Sequence, residues 1–285
     1  MGRLRAATLL LGGLLLWGCA DEAPQRRRRR PVDQMKFRGG PEEDAFEKIP
    51  LPPQRVRVQG ASHTATVGTA LGVPAYAVPR PICLPPKEAP SRSLGPTTDG
   101  QLLDPCRIPP QGPGYIAVSP NAYGTDNTVA LLEMAAAQVA RQFAGVPAVV
   151  IGAISAANGG FLRPHKSHQS GRDVDIAYLR TGSAQPRRFE ATDAGNLDAE
   201  RTWAFLEALL ATGEVGLIFM DYEIQALLYE QLLDNGWSEQ GLLPLFQFPA
   251  GANVPRGVIR HATGHADHFH VRFRCPEPDK PDCVD

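Results

Sequence analysis

No excess of charge of either sign marks this 285-residue chain: 29 lysines and arginines face 30 aspartates and glutamates, a formal net charge of -1. A phosphate-binding surface shows as a basic surplus, so nucleic acid is excluded as the expected partner. The chain also lacks an apolar run of the ~20 residues that a spanning helix needs; the N-terminal run, ending at Leu16, is too short. It has no Ser-x-x-Lys, which removes the acyl-serine chemistry built on that pair. It has no Cys-x2-4-Cys, which argues against a zinc-thiolate site. Nor do its expected helices and strands alternate in strict βαβ order. That leaves an α+β fold, an antiparallel sheet flanked by helices.

What is present begins with an export signal over residues 1–19: Arg3 and Arg5, an apolar run through Leu16, then Gly18-Cys19. Leu16-Trp-Gly-Cys19 resembles a bacterial lipobox, whose cysteine is acylated. Trp17 stands where a small residue is usual, and the alternative is plain secretion with cleavage near Ala20. By the same resemblance, Ala20 after the cysteine implies the outer membrane, with membrane attachment through a lipid on Cys19. Residues 20–81 read as a charged, Pro-rich linker. Its Arg26–Arg30 run is either a solvated tether or a segment drawn to anionic head groups or acidic polymers. Arg55–Gln59 reads as a short edge strand, and His63 has no partner in sequence. Proline and glycine are abundant, 27 and 28, and much of the proline falls before residue 120. The main domain is placed at 82–285, with its regular elements from about Tyr115.

Set Cys19 aside and four cysteines remain, Cys83, Cys106, Cys275 and Cys283. An even number in an exported chain reads as two disulfides, since the periplasm is oxidising. Three pairings are possible; Cys83–Cys106 with Cys275–Cys283 is favoured because each closes a short Pro-rich loop.

Along the domain, Asp126 or Asn127 is placed to cap a helix reaching about Phe143, with Val129, Leu132, Ala136 and Val139 inward. Gly145 and Pro147 end it. A buried strand follows at Val149–Ile154. Asp198 caps a second helix that Gly213 closes, Val215–Met220 reads as a strand, and Tyr222–Leu233 as a third helix stopped by Asn235-Gly236. Trp203 and Trp237 are assigned to the core rather than to a ligand.

Five of the seven histidines fall in two segments, His165-Lys-Ser-His168-Gln-Ser-Gly-Arg-Asp173-Val-Asp175-Ile and His265-Ala-Asp-His268-Phe-His270-Val-Arg-Phe-Arg274. Val174 and Ile176 alternate with Asp173 and Asp175, the pattern of a short strand with its carboxylates on one face. Phe269, Val271 and Phe273 alternate in the same way with His268, His270, Arg272 and Arg274. Gly171 permits a turn between the His168 loop and the Asp173 strand. Imidazole nitrogen and carboxylate oxygen at one point suit a borderline-soft divalent ion, zinc above all. The two segments are therefore expected to fold into one zinc site on the sheet face. Asp173 is read either as a carboxylate that orients a ligand histidine or as an ordinary surface acid. Arg272 and Arg274 are read as contacts for substrate carboxylates or as structural ion pairs.

Ser-His168-Gln-x-Gly-x-Asp-Val-Asp175-Ile and His268-x-His270-Val-Arg-x-Arg-Cys275 resemble the zinc peptidases related to lysostaphin and the D-Ala-D-Ala metallopeptidases. Within that group they are similar to the penicillin-insensitive murein endopeptidases, over roughly residues 115–283 and densely only around the site. The resemblance implies His168, Asp175 and His270 as metal ligands, with His165 a further ligand, and His268 and His265 as catalytic histidines. It implies a disulfide corresponding to Cys275–Cys283, and it implies hydrolysis of D,D-amide cross-links in peptidoglycan in the periplasm. Where that branch carries extra ligands after the aspartate strand, this chain has Asn196-Leu-Asp198-Ala-Glu-Arg201, with no histidine. Two other readings share these residues: a D,D-carboxypeptidase or L,D-type peptidase on the same scaffold, and a non-catalytic wall-binding lipoprotein with structural zinc. His268 beside a full ligand set argues against the last, because a binder has no use for it.

Overall fold

Proline sets the character of the first stretch. The computed structural model describes residues 80–182 and 186–285; the leader, Cys19, the linker, the Arg55–Gln59 strand and His63 lie outside those residues. From Arg92 to Gly124 the chain makes only very short strands: β1 (Arg92–Leu94), β2 (Gln101–Leu103), β3 (Cys106–Arg107), β4 (Gln111–Gly112), β5 (Tyr115–Ala117) and β6 (Tyr123–Gly124). Each proline removes a ladder donor, which keeps pairings brief. The disulfide Cys83–Cys106 ties the first described turn to β3, and Cys275–Cys283 closes the C-terminal loop. Both are the favoured pairs.

Longer elements follow: α1 (Asp126–Gln142), β7 (Val149–Ile151), β8 (Asp173–Ala177), α2 (Ala199–Leu210), β9 (Val215–Met220), α3 (Tyr222–Asp234), a single turn α4 (Glu239–Leu242), β10 (Ile259–His261) and β11 (His268–Phe273). Asp198 caps α2 as expected, its carboxylate accepting from the Arg201 N–H. At α1 the cap is Thr125, one residue before the expected acid. Asp126 is used differently: its carboxylate accepts from the Ser91 N–H and pairs with Lys87, docking the N-terminal stretch onto the helix.

Seven strands form the main sheet, in the order β10-β9-β11-β8-β7-β5-β4. Its centre, from β9 through β7, is antiparallel; the β10–β9 and β5–β7 pairs are parallel, so the α+β sheet is mixed toward its edges. Val174, Ile176, Phe269, Val271, Ile218, Met220 and Ile259 are buried in the core. Phe205 of α2 stands 6.1 Å from Phe269, ring to ring, so the helices cover that side. Trp203 packs edge-on to Trp237 and stacks on Phe246, inside the core.

One charged residue is as buried as any of these. Arg172, just before β8, is 1% exposed. Its guanidinium donates to the carbonyls of Phe273 and Val284, the Asp285 carboxylate and the Ser93 hydroxyl. A buried cation persists only when so fully bonded. It locks β1, β8, the end of β11 and the C-terminal residues together, one residue before Asp173.

Candidate metal centre

Strand register builds the site. On neighbouring antiparallel strands, Asp175 of β8 stands opposite His270 of β11, and Asp173 opposite Arg272. Directly opposed residues have their Cβ atoms ~4.5–5.5 Å apart, near enough for the side chains to meet. His168 joins them from the loop before β8. Gly171 turns that loop with φ +75°, and a Cβ there would come within 2.8 Å of Leu102. His168 itself has φ +68°, a left-handed conformation uncommon for a side chain of this size and found where surrounding structure enforces it. The enforcing contact is visible: the His168 N–H donates to Asp173 Oδ2 at 2.8 Å.

Three atoms then converge. His168 Nε2, His270 Nδ1 and Asp175 Oδ1 form a triangle with edges of 3.1, 3.0 and 3.2 Å. The other ring nitrogens assign the tautomers. His168 Nδ1 donates to the Ile154 carbonyl at 2.7 Å, and His270 Nε2 donates to Asp173 Oδ1 at 3.0 Å. That leaves His168 Nε2 and His270 Nδ1 facing the third atom, a carboxylate oxygen, each able to carry a proton there or to give a lone pair to an ion. Ligands of a tetrahedral ion with ~2.0–2.1 Å bonds stand ~3.3–3.4 Å apart, so the triangle is close to that size. His165, His168 and Asp175 also each offer a donor atom within one 4.8 Å cluster, with His165 Nδ1 3.5 Å from Asp175 Oδ2. The donor chemistry and its spacing fit a divalent metal ion.

The electrostatics show the same demand for a cation. Asp173 is 0% exposed and Asp175 2% exposed. Burial opposes ionisation of Asp173, yet His270 and Arg272 hold its carboxyl well below the usual range. Burial likewise opposes ionisation of Asp175, and hydrogen bonds from His168 and His270 hold it down. Burial would strip His270 of a proton, but Asp173 and then Asp175 outweigh it and push that imidazole up to about 9. Two buried carboxylates call for positive charge at this point, as a proton or as a metal ion. Burial, then repulsion from His168, pushes His165 down; burial, then repulsion from His268, does the same to His265.

Asp173 therefore sits inside the site rather than on the surface. It accepts from His270, from the His168 backbone and from Arg272 Nε at 2.8 Å. Arg272 is spent on that pairing, its guanidinium lying 5.7 Å from the Phe219 ring centre. Arg274 lies exposed beyond the end of β11. Asp198 and Arg201, in the stretch without a histidine, pair with each other at the start of α2.

His268 reaches the cluster in spite of its position two residues along the strand. Its Nε2 is 3.8 Å from Asp175 Oδ1. Two residues missed in the sequence hold it there. Asp267 accepts from His268 Nδ1 at 2.6 Å, and Phe189 stacks on the ring with centroids 4.8 Å apart. Asp267 was legible as an acid next to a histidine, just before the strand where alternation does not yet separate the two; Phe189 carries no local signal. His265 leans on His268 at 4.8 Å, and its backbone carbonyl accepts from Tyr178 Oη.

The profile of a family described as Penicillin-insensitive murein endopeptidase matches residues 93–206. That stretch holds His165, His168, Asp173 and Asp175, while His265, His268 and His270 lie beyond it. A protein named penicillin-insensitive murein endopeptidase from Haemophilus influenzae is 31% identical over 218 residues, covering 70% of this chain and 68% of that protein. Proteins of the same name from Escherichia coli and Salmonella heidelberg are each 26% identical over 213 residues, covering 68% of this chain and 70% of theirs.

Proposed function

The chain belongs to the penicillin-insensitive murein endopeptidase family, and from that membership and the cluster geometry we propose that it is a zinc peptidase cutting D,D-amide cross-links of peptidoglycan. One observation carries the reading: two imidazole nitrogens and a carboxylate oxygen, from two strands and a loop, meet at 3.0–3.2 Å. His168 Nε2, Asp175 Oδ1 and His270 Nδ1 would hold the ion, with His165 as a further ligand. Zinc bound there supplies Lewis acidity toward water and the scissile carbonyl.

The chain's own groups do the rest. Asp173 holds His270 in one tautomer and the His168 backbone in its left-handed turn, so neither ring must reorganise when a ligand arrives. His268 has its Nδ1 proton held by Asp267, which leaves Nε2 as the atom that takes and returns a proton beside the cluster. Phe189 closes one side of that ring and limits its rotation. His265, pushed down by burial and then by repulsion from His268, lies against that ring and can share the proton. No Ser-x-x-Lys nucleophile is present, so penicillins have no acyl-serine to form. The reading places the protein against the cell wall in the periplasm. The leader ending at Cys19 supports a lipid anchor in the outer membrane.

The test is digestion of purified sacculi by the purified protein, with and without a chelator, and identification of the fragments by mass. Cross-linked dimers converted to monomers, only without chelator, are the expected result. Loss of a terminal D-alanine with cross-links intact would replace the endopeptidase by a carboxypeptidase. Unchanged sacculi would sink both.

A further inference from the structure

The row of side chains that carries the cluster does not stop at His270. Across β8, β11, β9 and β10, register sets Asp175 opposite His270, His270 opposite Phe219, and Phe219 opposite Arg260. Residues paired in register share a face of the sheet. The Phe219 ring lies 5.5 Å from His270 and 6.0 Å from His265, so the row is continuous with the site. Arg260 ends it, half-buried.

Its guanidinium is placed but not paired. Nε donates to the Gly257 carbonyl at 2.9 Å, while Nη1 and Nη2 have no partner among the described residues. The pin is built into the backbone: Gly257 has φ +77°, and a Cβ there would approach the Phe246 carbonyl carbon at 2.5 Å. Arg272, whose guanidinium lies 5.7 Å from the Phe219 ring centre, is ion-paired through its Nε to the buried Asp173. Two Nη groups without a protein partner, on a residue that shares the row of the cluster, match a carboxylate, which takes such a fork bidentately.

We propose that Arg260 binds a free carboxylate of the substrate peptide and selects for peptides that carry one. Two strand spacings of ~4.8 Å separate the β11 and β10 backbones. An extended peptide covers ~3.3–3.6 Å per residue, which places that carboxylate about two or three residues from the bond cut. The inference rests on the peptidase reading above, and it adds a substrate feature that neither the cluster nor the family name specifies.

The experiment uses a soluble cross-linked muropeptide and the same compound with its carboxyls converted to amides. Cleavage is followed with the zinc-loaded wild-type protein and with Arg260→Gln. Binding is followed by calorimetry on the His268→Ala background, with and without Arg260→Gln. Amidation alone and Arg260→Gln alone should each weaken binding and raise KM by ~10–100-fold with kcat little changed. The two changes together should cost no more than either alone, because they remove the same contact. Arg260→Lys should recover part of the loss. The comparison of the two compounds on protein with native Arg260 stands even if Arg260→Gln folds poorly. Equal handling of acid and amide overturns the Arg260 assignment; if both are still cut, the peptidase reading survives. Acid preferred in binding but neither compound cut would keep the Arg260 site and end the peptidase reading.

Discussion

The two faces of one sheet make opposite use of the same alternation. On β8 and β11 the odd set of one strand and the even set of the other, Asp173, Asp175, His270 and Arg272, face the site, while Val174, Ile176, Phe269 and Val271 face the helices. The apolar face gains stability by removing side chains from water, ~25 cal/mol for each Å² of apolar surface. The polar face runs against that trend: Asp173, Asp175, His168 and His270 are buried together, and each must be bonded to persist. One face holds the domain together; the other is held in place by it, its buried carboxylates kept ionised by His270, Arg272 and His168.

The comparison breaks most severely if a site-face ligand is removed. His270→Ala or Asp175→Ala should abolish both metal content, read by elemental mass spectrometry, and sacculus digestion, with the fold retained by circular dichroism. Full metal in either variant would move the ion elsewhere. His268→Ala should keep its metal and lose turnover by ~10²–10⁴-fold. If it strips the ion as thoroughly as His270→Ala, His268 is itself a ligand and the site is closed.

The opposite face gives the complementary outcome. Phe269 is fully buried against Tyr178 and Phe205. Phe269→Ala should cost ~3–5 kcal/mol in a denaturant titration, with metal stoichiometry of the folded protein unchanged. Loss of metal before loss of stability would mean the two faces are not separable.

The smallest effect concerns a proton. Without metal, His270 is pushed up to about 9, so it is charged at pH 7.5. A ligand nitrogen must be deprotonated, so zinc binding should release about one proton from it. The release should fall toward zero as pH rises past 9, because the metal-free ring has then already lost the proton. For the metal-free fold the sign is the same: a raised pKa contributes stability present below the ordinary histidine value of ~6.5 and lost as pH climbs through 9. Calorimetry in buffers of different ionisation enthalpy reads the proton count. No release at pH 7.5 would remove His270 from the ligand set or show the ring neutral beforehand.

Much of this was legible because it is local. Period-two alternation assigned the inward and outward residues of β8 and β11 before any contact was known. Asp198, Gly213 and Asn235-Gly236 marked helix ends through cap chemistry, and the cysteine spacings favoured the pairs that formed. Where local chemistry had two outlets the expectation slipped: Asp126 could cap α1 or dock Ser91 and Lys87, and Thr125 took the cap. The short strands β1 to β4 were not foreseen, since prolines mask their pattern and each holds only two or three residues, too few for alternation to show.

By itself the sequence determined which residue types alternate, where helices end, and which histidines belong to one site. Only the tertiary structure decided that Asp175 stands opposite His270, that Asp267 and Phe189 hold His268 from two separate loops, and that Arg260 closes the same row. Alternation is a property of each strand alone. Register is set when distant strands pair, and a slip of one residue on β11 would have turned His270 and Arg272 to the other face.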